Sequence, residues 1–313
     1  MPTFAIVGGT GLIGFYISKV ILQEGHALRL VSRGKTESNA AKIEALEALG
    51  ATSVYCSMTD VPALTDAFAG CDVAISIIHG TAAVIGEREG FLLDAAIAAK
   101  VGRFLPCEFG CNTAAMPEGS GLLFDEKKKF QRRMLELGVP FTLIFPGLIM
   151  DYSLPNLREY EVITTYGELD CKFPVTHCDD IGRVTVRAAL DPRCVNKGVQ
   201  IAANWICQRD FLPLLEKYYP GHTFETRHVD AATVLQLAEH GDLVEPHEQP
   251  ERERHQINRA CYVWALVVAK DPHADTLDAQ ELFPDISFIG VDEIISDPEF
   301  VFGKGKVPPA FQK

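Results

Sequence analysis

Three glycines near the start of the chain are spaced to bind a phosphate group. Gly8, Gly11 and Gly14 follow the apolar run 4–7 and open a stretch with helical periodicity at 12–23. Glycine permits a positive φ and a close approach of the backbone, and a helix N-terminus presents free N–H groups to an anion. A strand, a glycine loop and a helix in this order are typical of a dinucleotide-binding fingerprint. The pattern predicts a pyrophosphate site; the alternative is a tight turn without a ligand.

Basic residues after the second predicted strand indicate which dinucleotide binds. The apolar run 27–31 is followed by Arg33, and Lys35 and Lys42 lie nearby in the chain. A site for NADH favours an acidic residue here, which bonds the ribose hydroxyls, whereas a guanidinium makes paired hydrogen bonds with a 2′-phosphate. The sequence therefore favours NADPH over NADH; the alternative is that Arg33 is a solvated surface residue.

The acid–base pair of an alcohol dehydrogenase is incomplete in this chain. Short-chain enzymes that interconvert alcohols and ketones use a Tyr-x-x-x-Lys pair. Here the residue four positions before Lys128 is Phe124, whose ring has no proton to give. The pattern argues against that activity and leaves the lysine run 127–129 as the source of an acid or base.

Helical periodicity selects one lysine of that run. Phe130, Met134 and Leu137 are spaced as one apolar helix face, and Lys127 lies one step back on it. A partly buried lysine has a lowered pKa and can transfer a proton. The spacing therefore favours Lys127 as the general acid or base, and a fully solvated basic run is the alternative.

The elements that must position these residues alternate between strands and helices. Short apolar runs predict strands at 4–7, 27–31, 53–56, 73–78, 103–105 and 141–145. Helical patterns fill the intervals at 12–23, 40–49, 62–69, 90–100 and 124–137. Strands that alternate with helices form a parallel sheet covered on both faces. The expected fold class is α/β, a Rossmann-type doubly wound parallel sheet.

The alternation loosens after Pro146, where prolines interrupt it. Residues 198–202 predict a seventh strand, and 282–293 predict a closing strand and the start of a helix. The highly charged stretch 239–258 predicts an exposed helix-loop or lid, and the apolar stretch 260–269 predicts packing on a second lobe.

These patterns predict two domains. We expect an NADP-binding Rossmann domain at 1–150, with a returning segment near 176–205. A smaller, discontinuous C-terminal substrate-binding lobe, formed by 151–175 and 206–313, is expected over the carboxyl edge of the sheet.

Composition excludes several classes of partner. Among 313 residues, 29 Lys and Arg against 42 Asp and Glu give a net charge of −13, which argues against nucleic acid and anionic membranes. The chain predicts neither a signal peptide nor a membrane span. Nine cysteines without a C-x-x-C pair suit a reducing, cytoplasmic location. Without an H-E-x-x-H motif or a Cys/His cluster, no metal site is expected.

Sequence blocks along nearly the whole chain resemble the isoflavone reductase-like, or phenylcoumaran benzylic ether reductase-like, branch of the NmrA-like atypical short-chain dehydrogenases/reductases. Besides the glycine loop, the blocks are R-F-L-P-C-E-F-G at 103–110, G-V-P-F-T at 138–142, D-D-I-G-R at 179–183 and E-L-F-P-D-I at 281–286. The resemblance implies an NADPH-dependent reductase, typical of specialised metabolism. Such an enzyme delivers hydride to an activated C=C, C=O or quinone-methide carbon of an aromatic or conjugated small molecule.

The resemblance also implies which residues hold the cofactor. Counting back from Gly138 without gaps places the family's proton-transfer lysine at Lys127, whereas alignment on 132–133 would place it at Lys128. The resemblance also places Arg33 and Lys42 at the 2′-phosphate of the cofactor. The implied cofactor-binding set is Gly8, Thr10, Gly11, Leu12, Ile13, Gly14, Arg33, Lys42, Ile77, Ile78, His79, Lys127, Gly147, Leu148 and Ile149.

Three residues after position 150 are candidates to contact the substrate, and the chain departs from the family pattern at two places. Tyr152 and Tyr166 are candidates to stack on an aromatic substrate, or else they pack the lobe. His177 is a third candidate, or else it belongs to a helix cap. Cys107 replaces the family's serine, and Phe-Pro-Gly at 145–147 replaces Ser-Ser-Asn.

A second hypothesis keeps the fold and removes the chemistry. A non-catalytic NmrA-like redox sensor binds NADP(H) and acts through a protein partner. Such regulators generally lack the active-site lysine, which this chain has at Lys127, so the enzyme is favoured. A homodimer is compatible with either hypothesis.

Overall fold

A computed structural model describes residues 1–78, 81–119, 122–233 and 276–312. Its first half alternates strands and helices, as predicted. The strands are β1 (Thr3–Val7), β2 (Ala27–Ser32), β3 (Thr52–Tyr55), β4 (Val73–Ser76), β5 (Arg103–Leu105) and β6 (Thr142–Phe145). The helices are α1 (Leu12–Gln23), α2 (Ala40–Ala48), α3 (Val61–Phe68), α4 (Ala82–Ala98) and α5 (Leu122–Glu136).

The later part of the described chain contains further strands and helices. The strands are β7 (Leu148–Ile149), β8 (Ile163–Tyr166), β9 (Phe173–Thr176), β10 (Lys197–Gln200), β11 (Asn204–Ile206), β12 (Thr226–Val229) and β13 (Thr276–Asp278). The helices are α6 (Met150–Ser153), α7 (Cys178–Leu190), α8 (Phe211–Tyr218), α9 (Ala279–Leu282), α10 (Val291–Ile295) and α11 (Pro298–Phe302). The predicted segments 239–258 and 260–269 lie outside the described residues.

The central sheet is parallel and doubly wound. Its strands run in the order β3-β2-β1-β4-β5, and a bridge between Phe104 and Phe141 brings β6 beside β5. β10 and then β13 continue the parallel pairing beyond β6. The order 3-2-1-4-5-6 is that of a Rossmann fold. The predicted fold class is therefore confirmed.

Helices cover this sheet through close contacts at glycine and at large apolar side chains. α7 packs on α1, and a Cβ at Gly182 would lie 3.1 Å from the carbonyl oxygen of Tyr16. Phe4, Phe68 and Phe104 are among the largest fully buried side chains. Burial of such side chains is the main stabilising contribution to the fold.

Two predicted element positions are wrong. Helix α4 begins at Ala82 rather than at residue 90, with the Thr81 hydroxyl accepting the N–H of Val84 at 3.3 Å as its N-cap. The closing strand is β13, which ends at Asp278 and so lies before the predicted start at 282. It ends there because the Asp278 carboxylate accepts the N–H of Gln280 at 2.7 Å and caps the N-terminus of α9. The predicted helix start near 291 is present as α10.

Contacts divide the described chain into two compact units. The first contains Met1–Pro146, Cys178–Ile201 and 276–286, and the second contains Gly147–His177, 202–233 and 287–312. In the second unit, β9 pairs with β7 and β11, and β8 pairs with β12. An aromatic cluster around Tyr219 joins α8 to the C-terminal segment, with ring centroids 5.0 Å from Phe302 and 5.2 Å from Phe311. The functional boundaries expected at 150, 176 and 205 stay predictions.

None of the helices in the described ranges has both the length and the apolar composition needed to cross a bilayer.

Candidate functional site

The glycine loop closes tightly between β1 and α1. Gly8 has a φ of +84°, and a Cβ there would lie 2.0 Å from the carbonyl oxygen of Ile77. A Cβ at Gly14 would lie 2.2 Å from the Gly8 oxygen. The Gly11 N–H donates to Gly8 O at 3.0 Å, and the Phe15 N–H donates to Gly11 O at 3.0 Å. Only glycine fits at 8 and 14, and the turn leads directly into the helix N-terminus.

The remaining residues predicted for the glycine loop lie at the start of α1. Thr10 is half-buried in the loop, and Leu12 and Ile13 are half-buried in the first turn of the helix. Because the first intrahelical acceptor is Gly11, the amides of this turn project toward the loop. This arrangement can hold an anion such as a pyrophosphate.

The basic side chains near this loop differ in their contacts. Lys42 Nζ donates to the carbonyl of Thr10 at 3.0 Å and lies 5.7 Å from the ring centroid of Phe15. Arg33 is exposed just beyond the end of β2. Lys35 instead pairs with Glu44 at 2.6 Å. Arg33 and Lys42 therefore supply positive charge at the carboxyl end of β2.

Lys127 is buried against the loop that follows β5. Its side chain extends from α5 and the residue is 7% exposed. Nζ donates to the backbone carbonyl of Glu108 at 2.6 Å and lies 3.9 Å from the Oε2 atom of that residue. A lysine this deeply buried is held by a partner of opposite charge.

The neighbouring lysines turn progressively outward, as the helical spacing predicts. Lys128 is partly buried and donates to the carbonyl of Met116 at 2.5 Å. Lys129 is exposed and pairs with Glu126 at 2.5 Å. The apolar face is shorter than predicted, because Leu137 lies beyond the end of α5 and is 52% exposed.

Glu108 is the centre of a buried hydrogen-bond network. Its Oε1 accepts from Gln131 Nε2 at 2.7 Å, and its Oε2 accepts from the Thr113 hydroxyl at 2.9 Å. Burial raises the pKa of this carboxyl, and the Lys127 charge and the two donors oppose that rise. Phe109, next in the chain, has a φ of +31°, so the turn that presents the Glu108 carbonyl is strained.

Glu89 reaches the same loop from α4. Its Oε1 accepts the backbone N–H of Cys107 at 2.6 Å, and the Cys107 thiol donates to the carbonyl of Ile78 at 3.1 Å. Burial raises the pKa of Glu89 to about 7 and that of the Cys107 thiol to about 12. The cysteine that replaces the family's serine is therefore a hydrogen-bond donor and not a thiolate at neutral pH.

The raised pKa of Glu89 predicts a loss of stability with rising pH. The folded protein binds more protons than the unfolded chain between the ordinary pKa of 4.5 and about 7. The contribution of Glu89 to the free energy of unfolding is then largest below pH 4.5 and declines up to about pH 7. Urea unfolding of wild type and Glu89→Gln from pH 4 to pH 8 measures the difference, which we expect to fall across this interval. Parallel curves for the two proteins would contradict the prediction.

Glu89 is a site residue that the sequence did not predict, and Glu108, Thr113 and Gln131 had no predicted role. A signal for Glu89 does exist, since it falls on the buried face of α4 at helical spacing from Ile85, Leu92, Leu93 and Ala96. The predicted helix began at residue 90, so the prediction did not include Glu89 in it.

Parallel strands bring several of these residues to one edge of the sheet. The glycine loop follows β1, Ile77 and Ile78 follow β4, and Glu108 follows β5. Because these strands are parallel, their carboxyl ends share an edge. Lys127 reaches this edge through its bond to Glu108. His79 lies outside the described residues.

The other predicted site residues belong to the second unit. Gly147 has a φ of +75°, and a Cβ there would lie 2.4 Å from the oxygen of Pro174. Leu148 and Ile149 form β7 and pair with β9. Their predicted role beside the nicotinamide stays a prediction.

The predicted substrate residues of this unit differ in exposure. Tyr152 on α6 is 60% exposed. Tyr166 ends β8, and its backbone exchanges hydrogen bonds with the Gln208 amide at 2.7 and 2.6 Å. His177 is half-buried between β9 and α7. The substrate roles of these three residues stay predictions.

A family model and several known proteins match this chain over most of its length. A family model described as the NmrA-like family matches residues 2–295. Isoeugenol synthase 1 of Petunia hybrida is 29% identical, over 93% of this chain and 91% of that protein. A phenylcoumaran benzylic ether reductase of Ginkgo biloba is 28% identical, over 93% of this chain and 97% of that protein.

A solved structure shares the fold. The binary complex of leucoanthocyanidin reductase with NADPH from Vitis vinifera superposes with a TM-score of 0.77 at 23% identity, covering 95% of this chain and 99% of that one. The match extends over both halves of the chain.

Proposed function

This chain belongs to the NmrA-like family, and we propose that it is an NADPH-dependent, isoflavone reductase-like oxidoreductase that acts on an aromatic or conjugated small molecule in specialised metabolism. Relatives that carry the names of a phenylcoumaran benzylic ether reductase and of isoflavone reductase homologues support this proposal. The observation that carries it is the buried Lys127, held at 2.6 Å by the Glu108 carbonyl at the carboxyl edge of the sheet.

The residues at this edge fit NADPH. At Gly8 and Gly14 a side chain would collide with backbone oxygens at 2.0 and 2.2 Å, so glycine permits the tight turn into the N-terminus of α1, whose free N–H groups can bind a ligand's phosphates. Arg33 and Lys42 match a 2′-phosphate, and Thr10, Leu12 and Ile13 complete the loop around the pyrophosphate. When bound, NADPH supplies the hydride.

Lys127 supplies the balancing proton in the proposed reaction. Hydride transfer to an activated C=C, C=O or quinone-methide carbon leaves negative charge on the substrate. The Lys127 ammonium has three N–H donors, of which the Glu108 carbonyl accepts one. An N–H bond of Lys127 breaks as a proton moves to the substrate, directly or through a water, and solvent then reprotonates the amine.

The two units divide the proposed roles. The first unit, including Ile77, Ile78 and Lys127, carries most of the proposed cofactor contacts, and residues 147–149 of the second unit carry the others. The second unit carries the predicted substrate contacts Tyr152, Tyr166 and His177. A cytoplasmic location is part of the proposal, because the cysteines of the described residues are free thiols.

Binding and turnover measured together test the function. Purified protein is titrated with NADPH and with NADH, and NADPH oxidation is then followed over a panel of conjugated aromatic carbonyls and quinone-methide precursors. Tight NADPH binding with turnover of any member is the expected result. Tight binding without turnover of any member would contradict the reductase and favour the non-catalytic sensor.

Arg33→Ser should change cofactor preference. Loss of charged hydrogen bonds to a 2′-phosphate weakens NADPH binding about tenfold, and NADH binding stays nearly unchanged because NADH lacks that phosphate. Isothermal titration with each dinucleotide measures both dissociation constants. Lys35→Ser is the matched control, since Lys35 is engaged with Glu44. Equal weakening of NADPH and NADH would show that Arg33 has no role at the 2′-phosphate.

A further inference from the structure

Three ionisable side chains are buried together around the loop that follows β5. Glu89 is 1% exposed, Glu108 is 3% exposed and Lys127 is 7% exposed. With both acids ionised, the cluster would carry one excess negative charge out of contact with water. Such a charge is costly, so one of the two acids holds its proton more tightly than an exposed carboxyl does.

Hydrogen bonding distinguishes the two acids. The carboxylate of Glu108 is stabilised by Gln131 at 2.7 Å, by Thr113 at 2.9 Å and by the Lys127 ammonium at 3.9 Å. Glu89 accepts the backbone N–H of Cys107 at 2.6 Å, and this bond and the nearby Ser76 hydroxyl oppose a rise in its pKa. No cation lies in contact with Glu89 among the described residues, and burial raises its pKa to about 7.

The charge of Glu89 reaches Lys127 by two routes. The first is through space, because both side chains are buried around the loop that follows β5, where water screens their charges little. The second passes through the backbone, because the Cys107 amide bound by Glu89 is adjacent to Glu108, whose carbonyl holds Lys127 Nζ at 2.6 Å. A change of charge on Glu89 thus alters both the field at Lys127 and the loop that positions it.

We propose that Glu89 is a positioning residue whose protonation state controls how readily Lys127 gives its proton to the substrate. This inference rests on the proposed function, in which Lys127 transfers that proton. When Glu89 is ionised, its attraction for the ammonium opposes proton release; when Glu89 is neutral, the opposition is removed.

Other titratable groups also face Glu89. They are Cys107 and Glu108 on the loop after β5 and Lys127 on α5. Burial raises the pKa of the Cys107 thiol to about 12, so the thiol stays protonated near neutrality. Burial also raises the pKa of Glu108, and its partners oppose that rise, so removal of the Glu89 carboxyl is the test that assigns the transition to one of the two acids.

Two readouts test the coupling, one with turnover and one without it. The first is the pH profile of kcat between pH 5.5 and pH 8.5 for wild type, Glu89→Gln and Glu87→Gln. Glu87 is an exposed residue of the same helix and serves as the matched control. The second is the ¹³Cε resonance of Lys127 over the same range, identified by its absence in Lys127→Met.

We expect kcat to fall as pH rises through about 7 in wild type and in Glu87→Gln, and this inflection to be lost in Glu89→Gln. The Lys127 resonance should shift with the same midpoint in wild type and lose that shift in Glu89→Gln. A purely structural role of Glu89 would lower activity at every pH without moving the profile. An inflection and a resonance shift that persist in Glu89→Gln would overturn the inference.

The design separates this inference from the proposed function. If no substrate is turned over, the reductase proposal fails, while the Lys127 resonance still decides whether Glu89 and Lys127 are coupled. If Glu89→Gln does not fold, Glu89→Asp replaces it, because it draws the carboxylate back by one methylene and should move the midpoint. An unmoved midpoint in Glu89→Asp would contradict the coupling.

Discussion

Lys127→Met should lower kcat by about 10²-fold or more while NADPH still binds. Methionine approximates the length of lysine but has no proton to donate, and general acid–base catalysis contributes about 10²- to 10⁴-fold. Steady-state kinetics on any substrate that the panel identifies gives kcat, and titration with NADPH gives the dissociation constant. Unchanged kcat would show that Lys127 has no role in proton transfer.

The same substitution has a separate effect on folding that must be controlled. It leaves the Glu108 carboxylate, with a side chain 2% exposed, without its cation. Breaking a buried pair in this way costs about 3–5 kcal/mol. The double variant Lys127→Met/Glu108→Gln removes the stranded charge and should recover part of the loss in thermal unfolding. Its kcat should stay low.

Lys128→Met is the matched control for the choice of lysine. Lys128 is the alternative that alignment on 132–133 would select, and it donates to the Met116 carbonyl rather than to Glu108. We expect this variant to retain kcat. A large loss of kcat in Lys128→Met with normal activity in Lys127→Met would transfer the proposed role to Lys128.

Gly14→Ala should abolish NADPH binding and destabilise the first unit. The added Cβ would lie 2.2 Å from the Gly8 oxygen and 2.9 Å from the Gly9 Cα, so the loop and α1 must separate. Overpacking of this kind costs about 1–3 kcal/mol. Thermal unfolding and NADPH titration measure the two effects. Gly290→Ala is the control, because, apart from its chain neighbours, no atom of the described residues lies within 4 Å of its added Cβ.

A companion variant distinguishes a ligand site from a tight turn without a ligand. Gly11 has a φ of −65°, and a Cβ there would meet the Gly8 oxygen at 3.3 Å, which small shifts can relieve. Gly11→Ala should therefore fold nearly as stably as wild type yet bind NADPH more weakly, because Gly11 is exposed in the loop that is proposed to bind the pyrophosphate. Equal affinity in wild type and Gly11→Ala would favour the turn without a ligand.

Local patterns predicted much of the first unit because their causes lie within one element. The glycine spacing that starts α1 at Leu12 involves neighbours a few residues apart. The order of burial from Lys127 to Lys129 follows from 3.6 residues per helical turn. The two-residue β7 is too short to show a period of its own, so its position could not be predicted in the same way.

Residue patterns along the chain were enough to predict the family, the parallel α/β fold, the glycine loop and the lysine on the inner face of α5. The surroundings of that lysine became apparent only from the folded chain. The contact of Glu89 with the Cys107 amide spans 18 residues of sequence, and that of Lys127 with Glu108 spans 19. The physical reason is that periodicity acts along one element, whereas these distances and the raised pKa of Glu89 arise where α4, α5 and the loop after β5 pack together and exclude water.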